Sequence, residues 1–354
     1  MKDFLSSPRL LHYTLPFVMI YLVAGTIAQK YIGLYAATHM FFSAPVVHII
    51  GIPLPGFPIL LSIIFLNLAC KLLFKSPWTK YSAGIIITHI GVMLLLIGGL
   101  VTALFSQEGF IDLALHQSKD HVQDYHNRVF VIKNDDDDII YTIDHQELNP
   151  GNTIKPAGLP ISITIKEACR NCQISKRTNA DETFHGMAQH MTLNSTALRL
   201  TDEENMGGLT FTVNGSDNDG TYVTLEDVPR YPEISSNDTL YKFSLQKEHR
   251  TLPFSVELLD FERQVHPGTQ MARAYQSHVR IIDGDTQWES IISMNEPLRY
   301  KGYSFYQSSF IATEGGNISV LAVVWNAGRT FPYIAGIVMS LGLIVHLFIA
   351  RRRV

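Results

Sequence analysis

A-G-I-I-I-T-H-I-G-V-M-L-L-L-I-G-G-L-V-T-A-L-F, residues Ala83 to Phe105, contains no Asp, Glu, Lys or Arg. At the α-helical rise of about 1.5 Å per residue such a run covers the roughly 30 Å hydrocarbon core of a bilayer, and it reads as a membrane-spanning helix. Its one ionisable side chain, His89, lies roughly 13 Å into the helix from the Lys80 end. An imidazole without water must face a neighbouring helix, a polar cavity or a metal. Two readings follow: a helix-to-helix hydrogen bond, or an axial ligand to haem iron, for which neutral imidazole is suited.

Working outward, three more apolar runs have membrane length: Leu10 to Gln29 and Phe331 to Ala350, both uncharged, and Phe57 to Phe74, whose one charge is Lys71 in its last turn. The first reads as a span rather than a cleaved signal, because it is longer than a signal core and lacks a small-x-small site. Charge separates the chain into two parts. Residues 1–106 and 331–354 together hold nine Lys or Arg against the single acid Asp3, whereas residues 107–330 hold 19 basic and 31 acidic side chains, a net of −12. An acidic domain on a basic anchor repels nucleic acid and attracts basic protein partners. With four crossings, the start of the chain, the Lys71/Lys75/Lys80 loop and the Arg351 to Arg353 tail all fall on the cytoplasmic side. Tyr31 to Gly56 is then an interfacial or re-entrant segment, ended by Pro53, Pro55 and Pro58. It carries His39 and His48, read first as solvated and second as outer haem or metal contacts. His346, about 7.5 Å before Arg351, shares the cytoplasmic half with His89.

Between the third and fourth spans the sequence turns β-like. Short β-branched and aromatic runs recur between turn signals, among them Arg128 to Lys133, Pro160 to Glu167, Met191 to Leu200, Leu240 to Leu245, Phe254 to Phe261 and Trp288 to Ser293. Asp283-Gly284 marks a tight hairpin, and Asp135 to Asp138 a solvated loop. The expected architecture is a membrane protein of four transmembrane α-helices with a large extracytoplasmic antiparallel β domain, sandwich or open barrel, between helices 3 and 4. Its divisions are 1–106, with helices at about 10–29, 57–74 and 83–105; 107–330, the β-rich domain; and 331–354, the last helix and tail.

Cys169 and Cys172 form C-R-N-C in this external domain, where an oxidising compartment permits a disulfide. Gln173 follows, so this is not a haem-attachment C-x-x-C-H. The pair reads as structural, with thiol exchange as the redox alternative. Cys70 reads as a packing residue, and His185, His190, His266 and His278 as surface histidines.

Three short helices, an external β domain and a closing helix resemble the ResB (CcsB) family of cytochrome c biogenesis, the System II route. The likeness is carried by T-H-I-G-V-M-L-L-L-I-G-G-L, Thr88 to Leu100, and by P-L-R-Y-K-G-Y-S-F-Y-Q-S-S-F, Pro297 to Phe310. The resemblance implies a protein of the bacterial inner membrane with both termini cytoplasmic. It also implies work beside a polytopic ResC (CcsA) partner to carry haem b across the membrane and attach it to C-x-x-C-H of apocytochrome c. The family's third-helix histidine matches His89, with His346 as the candidate second ligand within this chain. The partner's tryptophan-rich W-W-D segment is absent, since Trp78, Trp288 and Trp325 are scattered. The chain therefore resembles the accessory half, with no catalytic residue assigned. Tyr300, Tyr303, Phe305, Tyr306 and Phe310 form a candidate seam to that partner, suited to a membrane interface or a protein groove. Two other classes stay open: a di-haem cytochrome b-like electron carrier, and a cofactor-free membrane assembly factor.

Overall fold

Glycines at seven-residue spacing, Gly84, Gly91 and Gly98, set how the membrane helices pack. The computed structural model describes residues 2–49, 51–179, 181–200, 204–226, 228, 230–268, 272–313 and 316–351, so Arg352 and Arg353 of the basic tail lie outside the described residues. The chain divides into two units: Met1–Gln107 with Arg299–Ser304 and Val324–Val354, and Glu108–Leu298 with Phe305–Val323.

Among the described residues of the first unit, four helices are long and apolar enough to cross a membrane: Pro8–Ile32, Phe57–Phe74, Lys80–Phe105 and Phe331–Ile349. The first runs longer at both ends than the sequence suggested. Ser7 caps it, accepting the Arg9 N–H at 3.3 Å, and Pro8 opens its first turn, where a missing N–H costs nothing. Gly33, at φ 82°, ends it. The segment that follows holds no further span. It forms Leu34–Ala37, a π-helical turn Thr38–Ser43, and an antiparallel hairpin of Val46–Ile49 with Ile52–Pro55. Pro53 and Pro55 therefore lie in a strand and break no helix, while Pro58 sits in the first turn of Phe57–Phe74. Asn67, buried within that helix, donates to the carbonyls of Leu5 (2.6 Å) and Ser7 (2.9 Å) and pins the polar start of the chain.

The Ala83–Phe105 and Phe331–Arg351 helices pack antiparallel with almost nothing between their backbones. A methyl group on Gly84 would meet the His346 backbone, one on Gly91 would meet Met339, and one on Gly98 would meet Phe331; from the other side, one on Gly342 would meet Thr88. In lipid, where apolar surface gives no drive to associate, such close backbone approach supplies the dispersion contact that holds helices together. Gly91→Leu should therefore lower the thermal midpoint of the detergent-solubilised protein, by an overpacking cost of about 1–3 kcal/mol. Gly99→Leu, on the same helix with nothing within 4 Å, should leave it unchanged, and equal effects of the two would contradict this packing.

The second unit is a sandwich, not a barrel. Among the described residues the larger sheet has ten strands, and its path does not close on itself. Its path runs Thr286–Ser293, Ala272–Asp283, Thr239–Val265, Ser118–Lys133, Gln107–Leu113, Gly316–Trp325, Tyr303–Thr313 and Leu298–Tyr300, with Glu233–Ser236 and Ile139–Ile143 pairing alongside. A four-stranded sheet, Gly220–Leu225, Gly208–Asn214, Ser162–Cys169 and Thr153–Ile154, packs on it. Ile163 and Ile165 alternate inward, as a half-buried strand requires. The joint is aromatic: Phe211 of the small sheet lies 4.8 Å from Phe130 and 5.7 Å from Phe243 of the large one, all three fully buried. Every strand pairing described is antiparallel. The expected Asp283 hairpin forms, with Asp283 opposite Thr286 and Gly284 at φ 57°. The Asp135–Asp138 run is a loop, with Asp137 in the left-handed region and paired to Lys242 at 3.0 Å. Leu240 to Leu245 and Phe254 to Phe261 are not separate strands. Both belong to Thr239–Val265, whose register shifts between Thr251 and Val256 around Pro253, a residue with no N–H for the ladder.

Candidate functional site

His89 sits two turns into the Ala83–Phe105 helix, half-buried. Its Nδ1 lies 2.7 Å from the Ile85 carbonyl oxygen, which only accepts, so Nδ1 carries the proton. In the neutral ring that leaves the Nε2 lone pair outward, the tautomer an imidazole needs to bind a metal, with the ring held by the helix's own backbone. His89, Val92, Met93 and Leu96 follow i, i+3, i+4, i+7 spacing and share one helix face. Val92, Met93 and Leu96 pack against the cluster of Val18, Tyr21, Leu60, Ile64 and Leu68. His89 therefore turns toward the first two spans.

His346 belongs to a different face. It packs at Gly84, and His89 stands five residues further on, about 140° around the helix. The structure thus does not bring the two imidazoles onto one face. His346 is exposed in the unit as it stands. His39 and His48 are exposed too; the His39 ring lies 4.3 Å from Tyr35, and His48 pairs with Pro53 in the short hairpin.

Cys169 and Cys172 are bonded to each other. Cys172 is buried among Ala188, Leu193, Val223 and Leu225, while Cys169 is half-exposed. Asn171 between them donates to the Ala197 carbonyl at 2.6 Å, and its own carbonyl accepts from Thr196. A thiolate attacking the accessible Cys169 would have to expel sulfur into apolar surroundings that disfavour its charge, so the geometry suits a staple better than an exchange site.

The Pro297–Phe310 stretch is a hairpin. Lys301 and Gly302, at φ 45° and 86°, turn the chain between Leu298–Tyr300 and Tyr303–Thr313, as a two-residue turn with both central φ positive demands. Gly302 lies against Trp325, where a side chain would crowd the indole. Gln307 is buried, accepting from Ser277 Oγ at 2.6 Å and donating to the Ser309 carbonyl at 3.1 Å. The five aromatics do not form one surface. Tyr300 and Tyr303 fall in the membrane unit. Phe305 is fully buried against Phe254 and so cannot serve a surface seam, a correction that follows from strand alternation. Tyr306 is 37% exposed, and Phe310 joins Phe261 and Tyr275 in a half-exposed ring cluster with centroids 5.2–6.4 Å apart.

A buried charge cluster has no local sequence signal. Glu226 accepts from Arg128 Nε at 2.9 Å and the Gly207 N–H at 3.2 Å, with Lys247 Nζ at 3.0 Å from its other oxygen. Arg128 also donates to the carbonyls of His126 and Asn205. Burial pushes the Glu226 carboxyl up, but the two cations and their hydrogen bonds outweigh this and hold it below the usual glutamate value. Among the described residues no group of three or more His, Cys, Asp or Glu side chains is placed to hold a metal ion.

Among the described residues, four helices long and apolar enough to cross a membrane and a large antiparallel β unit define the class. Residues 228–322 match the model of the ResB-like family. Over 98 residues, 27% of this chain, the sequence is 36% identical to Protein NrfI of Wolinella succinogenes, and the match covers 11% of that protein. The ResB resemblance is thus shown over the large-sheet strands from Thr239–Val265 onward and the Pro297–Phe310 hairpin. The Thr88–Leu100 motif and the whole four-stranded sheet lie outside the matched stretch.

Proposed function

We propose that the chain is an accessory subunit of cytochrome c biogenesis, handling haem and apocytochrome c beside a polytopic ResC (CcsA)-like partner in the bacterial inner membrane, with both termini cytoplasmic. The observation that carries this reading is the ResB-like match of 228–322 in a chain whose third apolar helix presents His89 with Nε2 free. His89 Nε2 would hold the iron of haem b when that group is bound, and the iron would supply the redox and ligand chemistry. The rest falls to the chain's own groups: the Ile85 carbonyl fixes the tautomer, and the face shared with Val92, Met93 and Leu96 keeps the ring among apolar neighbours. A second ligand would come from the partner rather than from His346, which packs at Gly84 about 140° around the helix from His89.

The visible spectrum of the chain, purified alone and with its partner, tests the reading. A haem Soret band in the joint preparation supports it, and haem-free material in both would favour a cofactor-free assembly factor. The acidic domain supplies a second expectation. Its net charge of −12 attracts basic segments over a Debye length of about 8 Å at physiological salt. An apocytochrome peptide should therefore bind the full chain in nanodiscs, weakening about tenfold between low and high salt. Salt-independent binding, or none, would remove the client-binding role.

A further inference from the structure

The β unit holds a cleft of about 1010 Å³ whose lining includes His185, Met187, His190, Met191, Tyr222 and Tyr231. Four of these come from one heptapeptide, H-G-M-A-Q-H-M. It is built around a 3-10 turn, Gly186–Gln189, that the fold fixes from several sides. Ala188 is fully buried in the cluster with Cys172, Leu193, Val223 and Leu225, and its carbonyl accepts from Arg177 Nε at 2.7 Å. The Arg177 guanidinium lies 3.9 Å over the Phe184 ring. The His185 N–H donates to the Thr221 carbonyl at 3.0 Å, and the His190 carbonyl accepts from the Arg177 N–H at 2.8 Å.

The two imidazoles are left able to bind. The His185 ring stacks on Tyr222 at 5.4 Å, and its Nε2 lies 3.1 Å from the Asp219 carbonyl, so Nε2 donates and Nδ1 keeps the lone pair in the neutral ring. His190 is exposed, and Met191 is 38% exposed, an uncommon place for a thioether in so acidic a unit. Of the carboxylates in the lining, Asp137 is paired to Lys242 at 3.0 Å, and Lys242 also feels Glu233. No cysteine lines the cleft among the described residues. Beside the oxygen groups of Glu233, Asn218 and Tyr231, the lining offers two imidazoles and two thioethers. Thioether sulfur is a poor ligand for zinc, calcium or magnesium and a good one for monovalent copper.

We propose that this cleft is a copper(I) site, with the imidazoles of His185 and His190 and the thioethers of Met187 and Met191 as its ligands. The site is independent of the haem reading and of His89.

Competition against a chromophoric copper(I) chelator, with ascorbate present and the full chain in detergent, tests it. The wild-type chain should withdraw about one equivalent. Met187→Leu/Met191→Leu, a volume-conserving pair of changes, and His190→Ala, an exposed position, should each weaken retention at least about tenfold with the β-sheet circular dichroism unchanged. X-ray absorption at the copper edge should show sulfur neighbours that the double leucine variant loses. No copper withdrawn by the wild type, or equal retention by the variants, would overturn the assignment, the latter placing copper on other groups such as Cys70. A leucine variant that unfolds leaves His190→Ala to decide.

Discussion

Glu226→Ala should lower the unfolding free energy of the β unit by about 3–5 kcal/mol, the cost typical of removing one partner from a buried ion pair. The size follows from what stays behind. Arg128 and Lys247 are nearly as buried as Glu226, and among the described residues neither has another carboxylate at salt-bridge distance. Among the described residues Lys247 then keeps the Phe110 ring, 5.2 Å away, and Arg128 the His126 and Asn205 carbonyl oxygens. Glu226→Gln, which keeps the volume, should be almost as damaging, because the charge is what is lost. The same carboxylate gives the unit an acid limb. Its folded pKa lies below the ordinary value of 4.5, so the folded state binds fewer protons than the unfolded chain in that range. The contribution is complete above pH about 4.5 and is lost as pH falls through the lower folded pKa. Urea unfolding of the full chain in detergent, followed by β-sheet circular dichroism between pH 3 and 7, checks both points. The wild type should lose stability on acidification, with a shallower acid limb in Glu226→Gln; unaltered midpoints would contradict the account.

Arg128 and Glu226 are 98 positions apart, and no local pattern in the sequence joins them. The spans, by contrast, were legible residue by residue. Phe57–Phe74 and Ala83–Phe105 have the bounds that hydropathy gave, because a helix in lipid must satisfy its backbone internally and so runs the length of the apolar stretch, past Lys71 in the first case. The first span was read short because Pro8 and Ser7 act as start signals rather than breakers. Strands with inward alternation, such as Ser162–Cys169, were visible, and those stabilised mainly by cross-strand partners were not. The amino-terminal half of Ser118–Lys133, polar and rich in Asp, His and Gln, is strand because Thr239–Val265 pairs with it. The same limit applies to the sites. His89 announced itself as an ionisable group in an apolar run, whereas His185 and His190 read as ordinary surface histidines until the cleft placed Met187 and Met191 beside them. Phe305 and Tyr306, adjacent in an aromatic run, were separated only by the pleat that sends one into the core and the other outward.

His89 carries the second large effect and the central claim. Its ring is held by the Ile85 carbonyl, presents Nε2 away from the helix backbone, and lies on a face lined by Val92, Met93 and Leu96, so glycine there removes a ligand without disturbing the Gly84, Gly91 and Gly98 seam on another face. Removing partners one shell out from a metal ligand already costs 10–100-fold in affinity, so loss of the ligand itself should reduce haem content at least about tenfold. The direct measurement is the haem content of His89→Gly and His346→Gly, each purified with the partner, with and without added imidazole. The account predicts haem lost in His89→Gly and restored by imidazole, with His346→Gly close to wild type; full haem occupancy in His89→Gly without imidazole would contradict it.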